Sequence, residues 1–322
     1  MSVLFLGSGP FALPALEAMV RAGERPVLVV TRPDRPGGRG RKPLPTPVRE
    51  AASALGLAVE VPATVNDAAA IERLKSLDPE VAIVADYGEI LRAPFLALPR
   101  VGTFNLHASL LPRHRGAAPV AAAILAGDGE TGVTLFRIQK GLDDGPMVDR
   151  IATPIGPIET AGELEARLAQ LAAELLLSNL PRLRSGRFTE APQDASRATP
   201  APKLPPGMGS IDWSRPADAV ARFIRALSPR PGAFSFLFRG DSPAPPRIKL
   251  LRAQAVADSS PVTSPPGTVS RVAKHGFRVA AGGGEVEVLD LQPPGKGPQA
   301  SSAFLRGHPV APGDRFAPFP PG

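Results

Sequence analysis

The sequence predicts an α/β domain built on a parallel sheet with helices on both faces, followed by a small antiparallel β-barrel. In the first half, short β-type runs alternate with stretches of helical spacing, the pattern of a parallel sheet with helices on its faces. In the last third, apolar residues recur at period two around a glycine turn, the pattern of hairpins. The chain has 322 residues, 43% of them apolar, which is enough for two buried cores.

Ser2–Leu6, Pro26–Thr31, Val81–Ala85 and Thr103–Leu106 are strand-like, and Phe11–Arg21 has helical spacing. Thr160 is placed to cap a long helix in which Leu164, Leu168, Leu171 and Leu175 form an apolar stripe. Residues 187–207 hold small and polar residues with Pro192, Pro200, Pro202, Pro205 and Pro206, a composition that suits an extended linker. This gives a first domain over 1–186, the linker, and a second domain over 208–322. In the second domain Ser214 is the expected N-cap, with Pro216 in the first turn and Val220, Phe223, Ile224 and Leu227 as the apolar stripe of one helix. Phe234, Phe236 and Phe238 then alternate as in a strand, and Gly282-Gly283-Gly284 turns a hairpin between Phe277–Ala280 and Glu285–Leu291.

Composition excludes several chemistries. The chain has no cysteine, so disulfides, thiolate metal sites and cysteine nucleophiles are ruled out, and its four histidines, at 107, 114, 275 and 308, are scattered. No metal is expected. Every apolar run is interrupted well before the length of about 20 residues that a bilayer span requires, and a cytoplasmic protein without membrane contact is expected. The net charge is +7, and most of it lies in Met208–Gly322, where 14 Lys or Arg face 8 Asp or Glu. Such a surface attracts a polyanion and loses that attraction with salt.

Four motifs stand out. Gly7-Ser8-Gly9-Pro10-Phe11-Ala12 fits the G-x-G-x-x-[GA] dinucleotide pattern. Against that reading, the second strand ends in Thr31-Arg32 rather than an acid, and Pro10 lacks an N–H. Within Arg32–Arg49 the cations Arg32, Arg35, Arg39, Arg41, Lys42 and Arg49 accompany one acid, Asp34, among Gly37, Gly38 and Gly40. This is the composition of a solvated basic loop or of one that orders on a phosphate backbone. Asn105 and His107 lie at the end of an apolar strand with their side chains on one face, where a parallel sheet binds ligands. Ser109-Leu110-Leu111-Pro112-Arg113-His114-Arg115-Gly116 follows, and Gly141-Leu142-Asp143-Asp144-Gly145 brings a carboxylate on a turn. An amide, an imidazole and a carboxylate together suit oxyanion stabilisation and proton transfer.

Asn-x-His, then Ser-Leu-Leu-Pro-x-x-Arg-Gly, then Gly-Leu-Asp-x-Gly resembles the folate-dependent formyltransferases over nearly the whole chain. Thr31–Lys42, Ala126–Thr134, Ile211-Asp-Trp-Ser and Leu291–Lys296 narrow the resemblance to the branch that acts on methionyl-tRNA. The resemblance implies a Rossmann-like formyltransferase domain, an OB-like barrel that binds tRNA, and transfer of a formyl group from 10-formyltetrahydrofolate to aminoacylated initiator tRNA by a monomer. It assigns catalysis to Asn105, His107 and Asp143, folate contact to Ser109, Leu110, Leu111 and Pro112, and tRNA contact to Arg35, Arg39, Arg41 and Lys42, with Arg39 foremost. The chain departs from the family at His114, usually Trp, at Pro146, usually Asp, and at Pro200, commonly Tyr. The residues alone leave open a formyltransferase acting on a sugar nucleotide or on glycinamide ribonucleotide, a nicotinamide oxidoreductase, and a non-catalytic tRNA-binding protein.

Overall fold

The computed structural model describes residues 2–37, 42–205, 207–240, 244–256 and 263–318, with 35–37 and 42 described by their backbone. In chain order the elements of the first part are β1 (Val3–Gly7), α1 (Leu13–Arg21), β2 (Leu28–Val30), β3 (Arg35–Gly37), β4 (Lys42–Leu44), α2 (Pro47–Ala54), β5 (Val59–Glu60), α3 (Ala68–Lys75), β6 (Val81–Ala85), α4 (Ala93–Leu96), β7 (Gly102–His107), α5 (Pro119–Ala126), β8 (Glu130–Arg137), β9 (Met147–Pro154) and α6 (Ala161–Ser185). The second part comprises α7 (Ala217–Ala226), β10 (Ala233–Phe238), β11 (Arg247–Ala255), β12 (Val269–Ala273), β13 (Gly276–Ala281), β14 (Gly284–Gln292), β15 (Gln299–Ala300), α8 (Ser301–Gly307) and β16 (Arg315–Ala317). Two compact units result: Met1–Pro119 with Glu130–Thr153 and Glu165–Pro202, and Val120–Gly129 with Pro154–Leu164 and Lys203–Gly322.

The first unit is organised by a seven-stranded sheet in the order β5-β2-β1-β6-β7-β8-β9. The strands from β5 to β7 pair in parallel, as their apolar sequences require, and every residue of β1 and β6 is buried. β8 adds an antiparallel edge to β7, pairing Asn105 with Phe136 and His107 with Thr134. Leu4, Leu6, Leu28, Val30, Ala82, Val84 and Phe95 belong to one core cluster in this unit. Thr46 caps α2 by accepting the Arg49 N–H at 3.1 Å, with Pro47 in the first turn.

The glycine motif after β1 is a tight strand-to-helix turn. The N–H groups of Ser8 and Gly9 donate to the carbonyl of Asp86 at 3.0 and 3.2 Å, so they are not free for a pyrophosphate. A Cβ on Gly9 would lie 1.6 Å from an Asp86 carboxylate oxygen, so an acid faces this loop at the close approach that glycine permits. Both features weigh against a dinucleotide site.

The second unit is a sheet ordered β12-β13-β14-β11-β10-β16, with β15 added on β14 and all of its strand pairings antiparallel. It closes on itself where the N–H of Phe316 donates to Gly267 O and that of Val269 to Asp314 O, both at 2.7 Å. This is the OB-like barrel. Gly267 has φ +87°, and a Cβ there would meet Phe316 O at 2.2 Å, so the closing contact needs glycine. Thr160 and Glu163 form a reciprocal capping box at the start of α6, with N···O distances of 3.0 and 3.4 Å. Leu164, Leu168 and Leu175 are buried, as their spacing predicts, and Leu171 of the same stripe is partly exposed.

One reading of the barrel needs correction. Pro216, not Ser214, precedes α7 as its N-cap; Ser214 instead closes an Asx turn, its N–H and hydroxyl both donating to Asp212 Oδ1 at 3.0 and 2.6 Å. In β10 the alternation holds, but its buried face is Ala233, Ser235 and Leu237, and the three phenylalanines lie on the half-exposed face. There Arg247 covers the Phe234 ring, with its guanidinium carbon 3.6 Å from the centroid.

Candidate active site

Asn105 and His107 sit at the carboxyl end of β7, beside the end of β6, where Val84 is in register with Asn105. His107 is buried, edge-on to Phe136 at 6.3 Å between ring centroids. Its Nε2 lies 2.9 Å from the carbonyl oxygen of His114. A carbonyl only accepts, so Nε2 carries the proton and Nδ1 is the nitrogen left to gain or lose one. Nδ1 is 3.8 Å from Asp143 Oδ2. Two contacts of about 2.9 Å close a triangle on that base, so one N–H or O–H group of a ligand reaches both atoms at once. The Asn105 side chain is half-buried and makes no hydrogen bond among the described residues, which leaves its amide to a ligand.

The loop after β7 is fixed by a buried hydroxyl. Thr134 on β8 donates to Ser109 O at 2.7 Å and accepts from Leu111 N at 3.1 Å, and Ser109 Oγ donates to Arg113 O at 2.7 Å. Leu110 packs at Gly132, where a Cβ would meet its side chain at 2.7 Å and Ile151 O at 2.0 Å. The Ser109–Pro112 segment is thus held to the antiparallel edge of the sheet, next to His107. Ser109 and Leu111 are buried and Leu110 and Pro112 are partly exposed.

The carboxylate arrives on the β8–β9 connection. Asp143 has φ +49° and His114 φ +60°, left-handed conformations in which Asp and His are among the better tolerated side chains. The Gly116 N–H donates to Asp143 Oδ2 at 2.8 Å. Gly116 has φ +127°, and a Cβ there would meet Ala201 O at 2.5 Å. Asp86, after β6 at the same end of the sheet, is also left-handed at φ +44°. Desolvation of its carboxyl, with a smaller contribution from the negative charge of Glu165, pushes its pKa up to about 6, although the residue as a whole remains solvent-accessible.

Composition gave no hint of a third strip of chain that lines this region. Within 187–202, Phe188 packs edge-on to Phe104 at 5.5 Å and Glu190 pairs with Arg137 at 2.6 Å. The Thr199 hydroxyl accepts the His114 N–H at 2.9 Å, the Arg115 N–H donates to Thr199 O at 2.8 Å, and Ala201 N–H donates to Arg115 O at 2.6 Å. Gln193 bonds both Arg115 and the Asp143 turn. The family departures sit within this network: buried His114 through its backbone, Pro146 through its carbonyl on Arg137 N at 2.9 Å, and Pro200 through a parallel bridge to Arg115.

Asn105, His107 and Asp143 thus converge with Ser109–Pro112. Arg39 and Arg41 lie outside the described residues, and for Arg35 and Lys42 the description is of the backbone, which forms the two-stranded β3–β4 hairpin. Among the described residues no group of three His, Cys, Asp or Glu is placed to hold a metal ion, and no helix is long and apolar enough to cross a membrane.

The family model for formyl transferases matches residues 1–180, and that for the formyl transferase C-terminal domain matches 203–309. Methionyl-tRNA formyltransferase of Halorhodospira halophila is 44% identical over 97% of this chain and 98% of its own. That of Symbiobacterium thermophilum is 42% identical over 99% and 96%. Among solved structures, the sugar 3N-formyltransferase WlaRD, crystallised in the presence of dTDP and 5-N-formyl-THF, aligns with a TM-score of 0.65 over 92% of this chain and 98% of its own, at 16% identity. HypX from Aquifex aeolicus in complex with tetrahydrofolic acid aligns at 0.62 over 95% of this chain and 47% of its own, at 18% identity. At these identities the two structures establish the shared fold. The relatives identical at 42–44% over almost their full length go further: the chain belongs to the formyl transferase family and, within it, to the methionyl-tRNA formyltransferases.

Proposed function

We propose that this chain transfers the formyl group of 10-formyltetrahydrofolate to the α-amino group of methionyl initiator tRNA, using Asn105, His107 and Asp143. The observation that carries the reading is the unbonded Asn105 amide beside the His107–Asp143 pair, in a chain that matches both family domains.

Bound at Ser109–Pro112, the folate supplies an activated formyl carbonyl on which negative charge develops as an amine attacks. The Asn105 amide donates to that oxygen. His107 Nδ1 accepts the proton that the amine loses on forming the new C–N bond, and returns it to the folate nitrogen as the old bond breaks. Asp143 holds the imidazolium between these steps and orients the amine from the other side of the 3.8 Å gap. The nucleophile is the substrate's own amine, so no covalent enzyme intermediate is formed.

The acceptor is large and anionic. The positive charge of the second domain and of the loop holding Arg35, Arg39, Arg41 and Lys42 suits a tRNA backbone, and such contacts position without reading sequence. The reading includes a monomer that works in the cytoplasm with the translation machinery.

The test is transfer of labelled formyl from 10-formyltetrahydrofolate to methionyl initiator tRNA, run beside methionyl elongator tRNA, free methionine and an amino-sugar nucleotide. Transfer confined to the initiator tRNA is the expected result. Transfer to the sugar nucleotide alone would reassign the acceptor, and transfer to none would overturn the reading.

A further inference from the structure

We infer that Gln193, in the proline-rich stretch after α6, is a positioning residue that sets the place of the Asp143 carboxylate; the inference rests on the formyl-transfer reading above. Asp143 stands on a poorly packed turn. Gly141, Leu142 and Asp144 are exposed, with Leu142 66% accessible, so apolar burial does little to fix the carboxylate. What holds it is a small set of hydrogen bonds, and Gln193 supplies much of that set. Its Nε2 donates to Asp143 O and to Gly145 O, both at 2.8 Å. Its Oε1 accepts from Arg115 Nε at 3.1 Å and from Arg115 Nη2 at 2.8 Å. Both donors and both lone pairs of the amide are therefore used, and turning the amide over would set its oxygen against two carbonyls and its NH₂ against a guanidinium. The orientation is fixed by its own partners.

Arg115 is in turn pinned by its backbone to Thr199 and Ala201, and the next residue, Gly116, donates its N–H to Asp143 Oδ2 at 2.8 Å. Gln193 holds the main chain of the turn, and Gly116 holds the carboxylate, from one anchored frame. Gly145 cannot drift towards β8, because even a Cβ there would lie 1.8 Å from Arg137 O. Gln193 has no bond to His107; it acts through where Asp143 sits. Any slackening of the turn widens or swings the 3.8 Å separation between Nδ1 and Oδ2, in which the amine is to be held.

The test uses the full-length enzyme and two variants. Gln193→Met keeps the length and packing of the side chain and removes all four hydrogen bonds. Gln193→Glu keeps an acceptor for Arg115 and places a carboxylate oxygen against the two turn carbonyls. The expected result for both, per folded molecule, is a fall in kcat of about 10- to 100-fold, the scale of a misplaced catalytic group, with KM for folate and for tRNA within about threefold. In an Asp143→Asn background, Gln193→Met is expected to cause no further loss. Three results would overturn the inference: unchanged kcat in Gln193→Met, a change confined to KM, or an undiminished loss in the Asp143→Asn background. If the unmodified enzyme transfers no formyl group to any methionyl-tRNA, the functional reading fails instead, so the two failures are distinguishable.

Discussion

Thr134→Val tests whether a single buried hydroxyl shapes the wall of the site proposed to hold folate. Thr134 is fully buried opposite His107, and its hydroxyl serves two backbone groups at once, Ser109 O at 2.7 Å and Leu111 N at 3.1 Å. Valine has the same shape and buries more apolar surface, so on hydrophobic grounds alone it should be neutral or better. It leaves one donor and one acceptor unpaired, however, at about 1–3 kcal/mol each, so the expected cost is about 2–5 kcal/mol after partial relaxation. Thr134→Ser keeps both bonds and loses a methyl group, costing about 1 kcal/mol. The prediction is therefore an inverted order, with the more hydrophobic substitution the more damaging. Calorimetry gives the order, and hydrogen exchange at the Leu111 amide localises it, since protection there should fall in the valine variant and persist in the serine one. KM for 10-formyltetrahydrofolate should rise in the valine variant more than kcat falls. A valine variant as stable as the serine one, with Leu111 still protected, would refute the reasoning.

Three further outcomes follow from the geometry. Asn105→Ala should lower turnover by about 10²–10³-fold, as removal of an oxyanion donor does elsewhere, with the thermal midpoint unchanged because the amide has no partner among the described residues; equal turnover would remove Asn105 from the mechanism. Gly116→Ala, at φ +127° with a Cβ 2.5 Å from Ala201 O, should displace the N–H that holds Asp143 and reduce kcat more than either KM, measured by steady-state kinetics. Asp86 titrates near 6 when folded against an ordinary 3.8, so the folded chain binds more protons than the unfolded one between those values, and stability falls as pH rises through that window. Asp86→Asn should therefore match the parent below about pH 4 and exceed it in thermal midpoint above about pH 6, and an equal difference at both ends would contradict this assignment.

The parallel core was legible because its strands carry their own signal: β1 and β6 are unbroken apolar runs buried on both faces. β8 and β9 went unread as strands because they form the antiparallel edge. β9 alternates partly and fully exposed residues, and only its pairing makes it a strand. The β10 stripe was legible as a period but not as a direction, since alternation does not say which face is inward and small Ala233 and Ser235 take the core side. Asn105, His107 and Asp143 were legible as types at positions. The tautomer of His107 was not, because it depends on a carbonyl seven residues away that a left-handed His114 turns towards the ring. Gln193 and Thr199 were invisible for a different reason: their stretch has a linker's composition, and hydrogen bonding to backbone leaves no periodic trace in sequence.

The route of the chain between the two units bears on how the protein is made. The barrel's unit includes Val120–Gly129 and Pro154–Leu164, synthesised long before Lys203–Gly322. Glu163, for instance, leaves the ribosome early and meets its partner Arg252 only when β11 follows. Those early segments wait for the later strands of their own unit, so that unit is complete only once Lys203–Gly322 has been made. A gene fragment beginning at Lys203 would encode every strand of the barrel but not all of its unit, which makes that fragment a poor cassette for transfer between proteins.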